Sequence, residues 1–383
     1  DLHKNAPEAY VEYPAKATGN DKFDAWPGIN DWYETTKLNY GVDYMNGRAK
    51  HFHPTPDTWT KMRDILLFWA SKKIDGFRCD MAEMVPAEFW GWVIPQIKEQ
   101  YPEIIFIAEV YNPNEYRNYI FNGHFDYLYD KVGLYDTLRS LTCGNNSATA
   151  IQYQWQNLSG IEKNMLNFLE NHDEQRIASD FFAGNGAKAI PAMIISACMN
   201  TNPVMIYFGQ EFGEPGMDSE GFSGCDGRTT IFDYWSVSSI RRWRNKDKFD
   251  GKNLTDEEKK LQSFYRTLLN LCNTEKAIRN GEFFDLTYAN LEGCSFNEHK
   301  QYAFLRKCDK DLILIAVNFD KAPATPHIKI PAHAFEYLGI PEKKSYKTKE
   351  LLTNKTDNIS ISPDQSVQVS LDGYGGILLK ISL

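Results

Sequence analysis

Between residues 54 and 208 the chain repeats one pattern: a short, nearly unbroken apolar run, then a stretch with helical periodicity. Residues 74–80, 104–110, 125–129, 165–172 and 203–208 read as strands, and runs this apolar are buried on both faces. Covering both faces of a sheet takes helices, so the strands are expected to be parallel. Residues 57–72 predict a helix with Trp59, Met62, Ile65, Leu66 and Trp69 on one face and Asp57 as its cap. Residues 86–100 predict another. The fold class is therefore α/β, as a β/α barrel or a doubly wound sheet. No glycine-rich phosphate loop follows any strand, which weighs against a dinucleotide or P-loop site.

Beyond about residue 275 the helical pattern is expected to stop. Residues 282–288, 302–307, 312–319, 367–371 and 376–381 read as strands separated by Asn, Asp, Gly and Pro clusters, the mark of a small antiparallel sandwich. The first stretch is loop-like and aromatic. The expected division is 1–53, 54–274 and 275–383.

Composition excludes several classes. A net charge of −9 with interspersed signs argues against a nucleic-acid partner, which needs clustered Lys and Arg. No apolar run reaches the roughly 18 residues of a membrane span. The seven cysteines are scattered and lack CxxC spacing, so they suggest neither a zinc site nor a disulfide framework, and most read as small buried hydrophobes. Aromatic residues make up 14%, a content that suits both core packing and stacking on sugar rings.

Charged groups gather where the strands end: Arg78 and Asp80 on the first, Glu109 on the second, His172 and Asp173 on the fourth. In a parallel barrel such ends share one rim. Two carboxylates there, Asp80 and Glu109, are the minimum for glycoside hydrolysis: one attacks or stabilises the anomeric carbon and one protonates the leaving oxygen. Arg78 shares a strand face with Asp80 and would favour its ionised form. Glu109 follows an apolar run, a setting that suits an acid. Asp173 could support positive charge in the transition state, and His172 could donate to a sugar hydroxyl. Each pair alone also fits a structural ion pair or a polar turn.

The segments GFRCD at 76–80, IIFIAEV at 104–110, FLENHD at 168–173 and VMIYFGQEFG at 204–213 resemble signature regions of the α-amylase family of glycoside hydrolases, in the family's order and spacing. The resemblance implies a (β/α)8 TIM barrel, with strands 4–8 represented here, and a C-terminal antiparallel β-sandwich. It implies Asp80 as nucleophile, Glu109 as general acid/base and Asp173 as transition-state stabiliser, with Arg78 and His172 orienting nucleophile and sugar. The implied reaction is double displacement on α-glucan oligosaccharides or polysaccharides, with no cofactor needed for the chemistry.

Two departures bear on this expectation. The Lys-His pair that commonly follows the nucleophile is replaced by Glu83-Met84, and this stretch, with Lys37-Leu38-Asn39, is more similar to the cyclomaltodextrinase and neopullulanase branch. The family's first signature region has no counterpart, and only five βα units are found where a closed barrel needs eight. Residues 1–53 then resemble the end of the loop domain after the third strand, and the first three strands would be truncated or supplied by another chain. The calcium site that the missing region helps build in the family leaves no metal ligands to name. Open alternatives are a transglycosylase, an α-1,6-acting relative, or a non-catalytic barrel used for binding. A polymeric substrate points to an extracytoplasmic site, secreted or periplasmic.

Overall fold

The structure, a computed structural model, describes residues 16–24, 27–32, 34–217, 226–229, 237–291, 295–343, 345–363 and 365–383. It divides into two compact units, Asp1–Tyr129 and Asp130–Leu383.

In the first unit helices and parallel strands alternate: α1 (Asp57–Ala70), β1 (Gly76–Cys79), α2 (Ala87–Gln100), β2 (Ile105–Ala108) and β3 (Tyr127–Tyr129). β1 pairs with β2 from Gly76↔Ile105 to Cys79↔Ala108, and β2 continues to β3 through Ile107↔Tyr127. Gly76 is required by this pairing, because a Cβ there would lie 2.4 Å from the Ile105 carbonyl oxygen. α2 buries Phe89, Trp90, Val93, Ile94 and Ile97, and rings chain from Trp59 to Phe89 (5.6 Å), on to Trp90 (5.0 Å) and to Phe125 (5.0 Å). Before α1 the described backbone is loop with two-residue antiparallel pairs, Lys16–Ala17 with Phe23–Asp24 and Val42–Asp43 with Ala49–Lys50.

α1 departs from expectation in two respects. Pro56 holds the cap position and Asp57 is the first helical residue, making no capping bond; its carboxylate faces the positive helix end and pairs with Lys61 one turn on. Of the predicted apolar face only Trp59 is buried: Met62 and Leu66 are half-buried, and Ile65 and Trp69 are about half exposed, at 50% and 51%. An amphipathic face is buried only where a partner surface exists, and none of the described residues covers this part of α1.

The second unit contains α3 (Asp136–Thr142), α4 (Ala150–Asn157), β4 (Met165–Phe168), α5 (Ile190–Cys198), β5 (Val204–Met205), α6 (Ser238–Arg244) and α7 (Asp256–Thr274). β4 and β5 run parallel through Asn167↔Val204 and Phe168↔Met205. Every residue of α5 from Pro191 to Cys198 is buried, as expected of a helix that is apolar all round. α7 starts with a capping box in which Thr255 and Glu258 bond each other's backbone N–H.

A six-stranded antiparallel sheet follows, in the order Glu282–Asp285, Gln301–Cys308, Asp311–Asn318, Gly375–Ser382, Tyr346–Glu350, Thr356–Ile359. Its third strand is buried on both faces. Ile313, Ile315 and Val317 join the core around α5, while Leu312, Leu314 and Ala316 face a second core with Ile328, Val367 and Phe335. That second layer is the pair His327–Lys329 with Ser366–Gln368, plus the helix Ala332–Leu338. Helices therefore do not stop at 275: Lys276–Asn280 and Ala332–Leu338 are both helical. The strands Tyr346–Glu350 and Thr356–Ile359 were not legible because their residues are mostly polar; pairing of the first along Gly375–Ser382, of the second along the first, and burial of Tyr346 and Thr348 set them in the sheet. The described cysteines, Cys79, Cys143, Cys198, Cys272 and Cys308, are free thiols; Cys225 and Cys294 lie outside the described residues.

Candidate functional site

In the first unit the parallel register sets the chemistry. Because Cys79 stands opposite Ala108, the chain leaves β1 and β2 at the same level, and the Glu109 N–H donates to the Cys79 carbonyl at 3.1 Å. Asp80 and Glu109 thus emerge as neighbours although 29 positions separate them. Arg78 lies between them: Nη1 donates to Asp80 Oδ1 and Nη2 lies 3.1 Å from Glu109 Oε1, while Nε donates to the Tyr129 hydroxyl at 3.3 Å. Burial alone would lower the Arg78 pKa, but the bonds to Tyr129 and Asp80 and the charge of Glu109 outweigh it, so the guanidinium is held charged above its usual range.

The two carboxyls differ sharply in exposure. The Asp80 side chain is 75% exposed, whereas that of Glu109 is 4%. The apolar setting expected for Glu109 is not what the structure has. Its Oε1 accepts from the Tyr111 hydroxyl at 2.7 Å and its Oε2 from the Met81 N–H at 2.8 Å. Met81 can donate there because it sits at φ 44°, a left-handed conformation that costs a non-glycine residue about 1 kcal/mol or more. Glu83 Oε2 accepts from the Asn112 N–H at 3.1 Å. The Met84 carbonyl accepts from Lys37 Nζ at 3.1 Å, and Lys37 also pairs with Asp21. Sequence reasoning missed Tyr111, Tyr129 and the Met81 N–H. The only signal for Tyr111 is its place two residues after Glu109.

In the second unit β4 ends at Phe168 and the chain turns at 169–177. Glu170 and Asn171 are buried at 1% and 2%. Asn171 Oδ1 accepts the N–H groups of both Asp173 and Glu174 at 2.9 Å, a side-chain-closed turn that lifts His172 and Asp173 outward. His172 Nε2 lies 3.0 Å from Asp173 Oδ2. Glu174 is tied down by the Tyr135 hydroxyl (3.0 Å) and Lys131 (3.2 Å).

Behind the turn lies a buried charged cluster that sequence reasoning did not pick out. Arg176 Nη1 is 3.0 Å from Glu170 Oε2, both side chains being essentially inaccessible, and Nη2 donates to the Phe208 carbonyl. Glu170 Oε1 accepts from the Ile177 N–H at 2.7 Å. Burial pushes the Glu170 carboxyl up to about 7, against the opposing pull of Arg176 and the Ile177 N–H. Glu214, fully buried, accepts from the Ser239 hydroxyl and from the Gly216 N–H at 3.2 Å. Among the described residues no group of three His, Cys, Asp or Glu side chains gathers as a metal site, and no helix is long and apolar enough to cross a membrane.

Comparison with known proteins gives this arrangement a context. Residues 12–270 match the family described as alpha amylase, catalytic domain. The chain belongs to the α-amylase family. Family membership carries the fold, a β/α barrel with a C-terminal antiparallel β-domain, and the described parallel strands and six-stranded sheet are parts of it. Solved structures agree: the α-amylase from Geobacillus thermoleovorans, in complex with acarbose, matches with TM-score 0.65 at 17% identity over 100% of this chain and 74% of that one. The maltogenic α-amylase AmyB from Thermotoga neapolitana matches with TM-score 0.62 at 18% identity over 90% and 72%. Among curated relatives, a cyclomaltodextrinase from a Bacillus species is 24% identical over 70% of this chain and 43% of its own length. An α-1,4-glucan:maltose-1-phosphate maltosyltransferase from Cereibacter sphaeroides is 38% identical over 16% of this chain and 11% of that protein. The chain spans less than half the length of the curated relatives it matches.

Proposed function

We propose that the protein is a retaining glycoside hydrolase that cleaves α-1,4-glucosidic bonds of starch-type α-glucans or maltooligosaccharides. The observation that carries this reading is the pair Asp80 and Glu109 held on either side of one guanidinium, that of Arg78. Retaining hydrolysis needs its two carboxyls only about 5 Å apart, and a guanidinium that draws both groups to one cation supports this reading.

In this mechanism Asp80, the exposed carboxylate, attacks the anomeric carbon and forms a glycosyl ester as the glycosidic C–O bond breaks. Glu109, protonated in the substrate complex, gives its proton to the departing oxygen. A water then attacks the anomeric carbon of this ester, Glu109 takes that water's proton, and Asp80 leaves as carboxylate, so two inversions at that carbon retain the α-configuration. Asp173 supports the positive charge that develops on the sugar, and His172 donates to a sugar hydroxyl. Arg78 stays charged throughout and keeps Asp80 oriented. In the second step a sugar hydroxyl can replace water. The similarity to maltosyltransferases favours keeping transfer to an acceptor glucan as the second reading.

The test is product analysis on maltoheptaose, pullulan and cyclodextrin, with NMR reading of the first-formed anomer. Asp80→Asn is expected to lower turnover by about four orders of magnitude or more, and Glu109→Gln by about 10² to 10⁴. Full activity in Asp80→Asn, or a β-anomer as first product, would refute the assignment. Longer glucans in place of water-derived products would select transfer over hydrolysis.

A further inference from the structure

We infer that Arg176, braced by Glu170, is a positioning residue that holds the turn carrying His172 and Asp173 in its working geometry. The inference rests on the reading of Asp173 as the group that stabilises the transition state.

The turn is clasped where it begins and ends. Glu170 precedes the exposed residues and Arg176 and Ile177 follow them, and one carboxylate joins both sides: Oε1 accepts from the Ile177 N–H at 2.7 Å and Oε2 faces Arg176 Nη1 at 3.0 Å. Glu170, Arg176 and Ile177 cannot shift without breaking contacts within this buried pair, and a buried pair that loses one partner is far costlier than a surface pair.

Arg176 is anchored on other segments as well. Its Nη2 donates to the Phe208 carbonyl, its guanidinium lies 4.8 Å from the Tyr207 ring centre and 5.0 Å from that of Phe208, and its own N–H donates to the Gly227 carbonyl at 2.8 Å. The backbone makes room for it. A Cβ on Gly216 would lie 2.6 Å from Arg176 Cγ, and one on Gly209, at φ 79°, would lie 3.1 Å from Arg176 Nη2. One side chain therefore ties the turn after β4 to the loop after β5. Lysine cannot reproduce this, since a point charge on a flexible stem cannot reach a carboxylate and a carbonyl in fixed directions at once.

The pair itself touches no substrate, being inaccessible on both sides. Its effect must pass through the residues between Glu170 and Arg176, where Asp173 is exposed and His172 half-buried in the turn that Asn171 closes. Misplacing a reacting group by about 1 Å can cost about 100-fold in rate, so a clasp of this kind should be visible in kcat.

The experiment compares Arg176→Met, Arg176→Lys and Glu170→Gln, each alone and with Asp173→Asn, on maltoheptaose. Arg176→Met is expected to lower kcat about 100-fold with KM nearly unchanged. Arg176→Lys should recover part of that loss, and neither should lower the residual activity of Asp173→Asn any further. Glu170→Gln keeps an acceptor for the Ile177 N–H and decides the matter if Arg176→Met does not fold: it too should lower kcat selectively. A kcat unchanged in these variants, or a loss that adds in full to that of Asp173→Asn, overturns the inference. Amide exchange supplies a readout independent of turnover: the N–H groups of Asp173, Glu174 and Ile177 should exchange about tenfold faster or more in Arg176→Met, with the six-stranded sheet unaffected. If the unsubstituted protein turns over no α-glucan, the proposed function fails, and exchange at those three amides still decides whether Arg176 holds the turn.

Discussion

Replacing Arg78 by methionine removes the one cation described between Asp80 and Glu109, and the consequence can be worked from their exposures. The Asp80 side chain is 75% exposed, so losing its ion pair costs at most about 1 kcal/mol. Glu109 is a different case, at 4% exposure with the Arg78 nitrogen 3.1 Å away. Two unit charges 3 to 4 Å apart attract by about 4 to 5.5 kcal/mol at an effective dielectric constant of about 20. Part of that is offset, because the variant no longer has to desolvate a guanidinium, and the Tyr111 hydroxyl and Met81 N–H still donate to Glu109. A net loss of about 2 to 3 kcal/mol is expected, toward the lower side of the range for breaking a buried pair. Glu109→Gln in the same background removes the stranded charge, so the double variant should be more stable than the sum of the two single losses predicts, by about 2 kcal/mol. Urea unfolding followed by tryptophan fluorescence measures this, provided the slope of the transition is the same for all four proteins. Additivity within about 0.5 kcal/mol would refute the claim that Arg78 and Glu109 form one electrostatic unit.

Two further outcomes follow from groups outside the Asp80–Glu109 cluster. Asp130 is 1% exposed and burial pushes its carboxyl up to about 6, so the folded state keeps a proton that the unfolded state releases near pH 4. Stability therefore falls as pH rises through that window and stays lower above it. Asp130→Asn, which keeps an oxygen for the Leu134 N–H, should raise the thermal midpoint at pH 8 by the equivalent of about 2 to 3 kcal/mol and leave it unchanged at pH 3.5; equal shifts at both pH values would contradict this. Arg306, 1% exposed, donates to the carbonyls of Met199 (2.7 Å), Ile278 (2.9 Å) and Ala277 (3.2 Å). Arg306→Met strands these acceptors at about 1 to 3 kcal/mol each, partly offset by the charge no longer buried, and calorimetry should show a net loss of about 3 kcal/mol; a loss below about 1 kcal/mol would mean that the carbonyls find other donors.

How much could be read in advance differs from element to element. The parallel strands were legible in type from apolar runs such as 104–110, but not in burial: Phe106 and Ala108 are fully buried whereas Ile105 is 40% exposed, because which layers cover a strand is not written in its own residues. α2 was legible in type and extent, because Phe89, Trp90, Val93 and Ile97 recur at helical spacing and are indeed buried. α1 was legible as a helix but not in its exposure: periodicity identifies an apolar face without saying what covers it. The strands Tyr346–Glu350 and Thr356–Ile359 were missed because sheet pairing, more than side-chain character, sets them.

The same divide runs through the candidate site. The local pattern of residues is enough to say that Arg78, Asp80 and Glu109 lie where strands end, because alternation along β1 places Arg78 and Asp80 on one face and the apolar run ends at Glu109. Tertiary structure decided how those groups meet. The register Cys79↔Ala108 brings Asp80 and Glu109 to one guanidinium, and a left-handed Met81 turns its N–H onto Glu109. It also decided that Arg176, an ordinary arginine in the sequence, lies fully buried against Glu170. Spacing along a strand is a local property that a sequence carries outright, whereas register, burial and the partners of a charge depend on which distant segments arrive beside it.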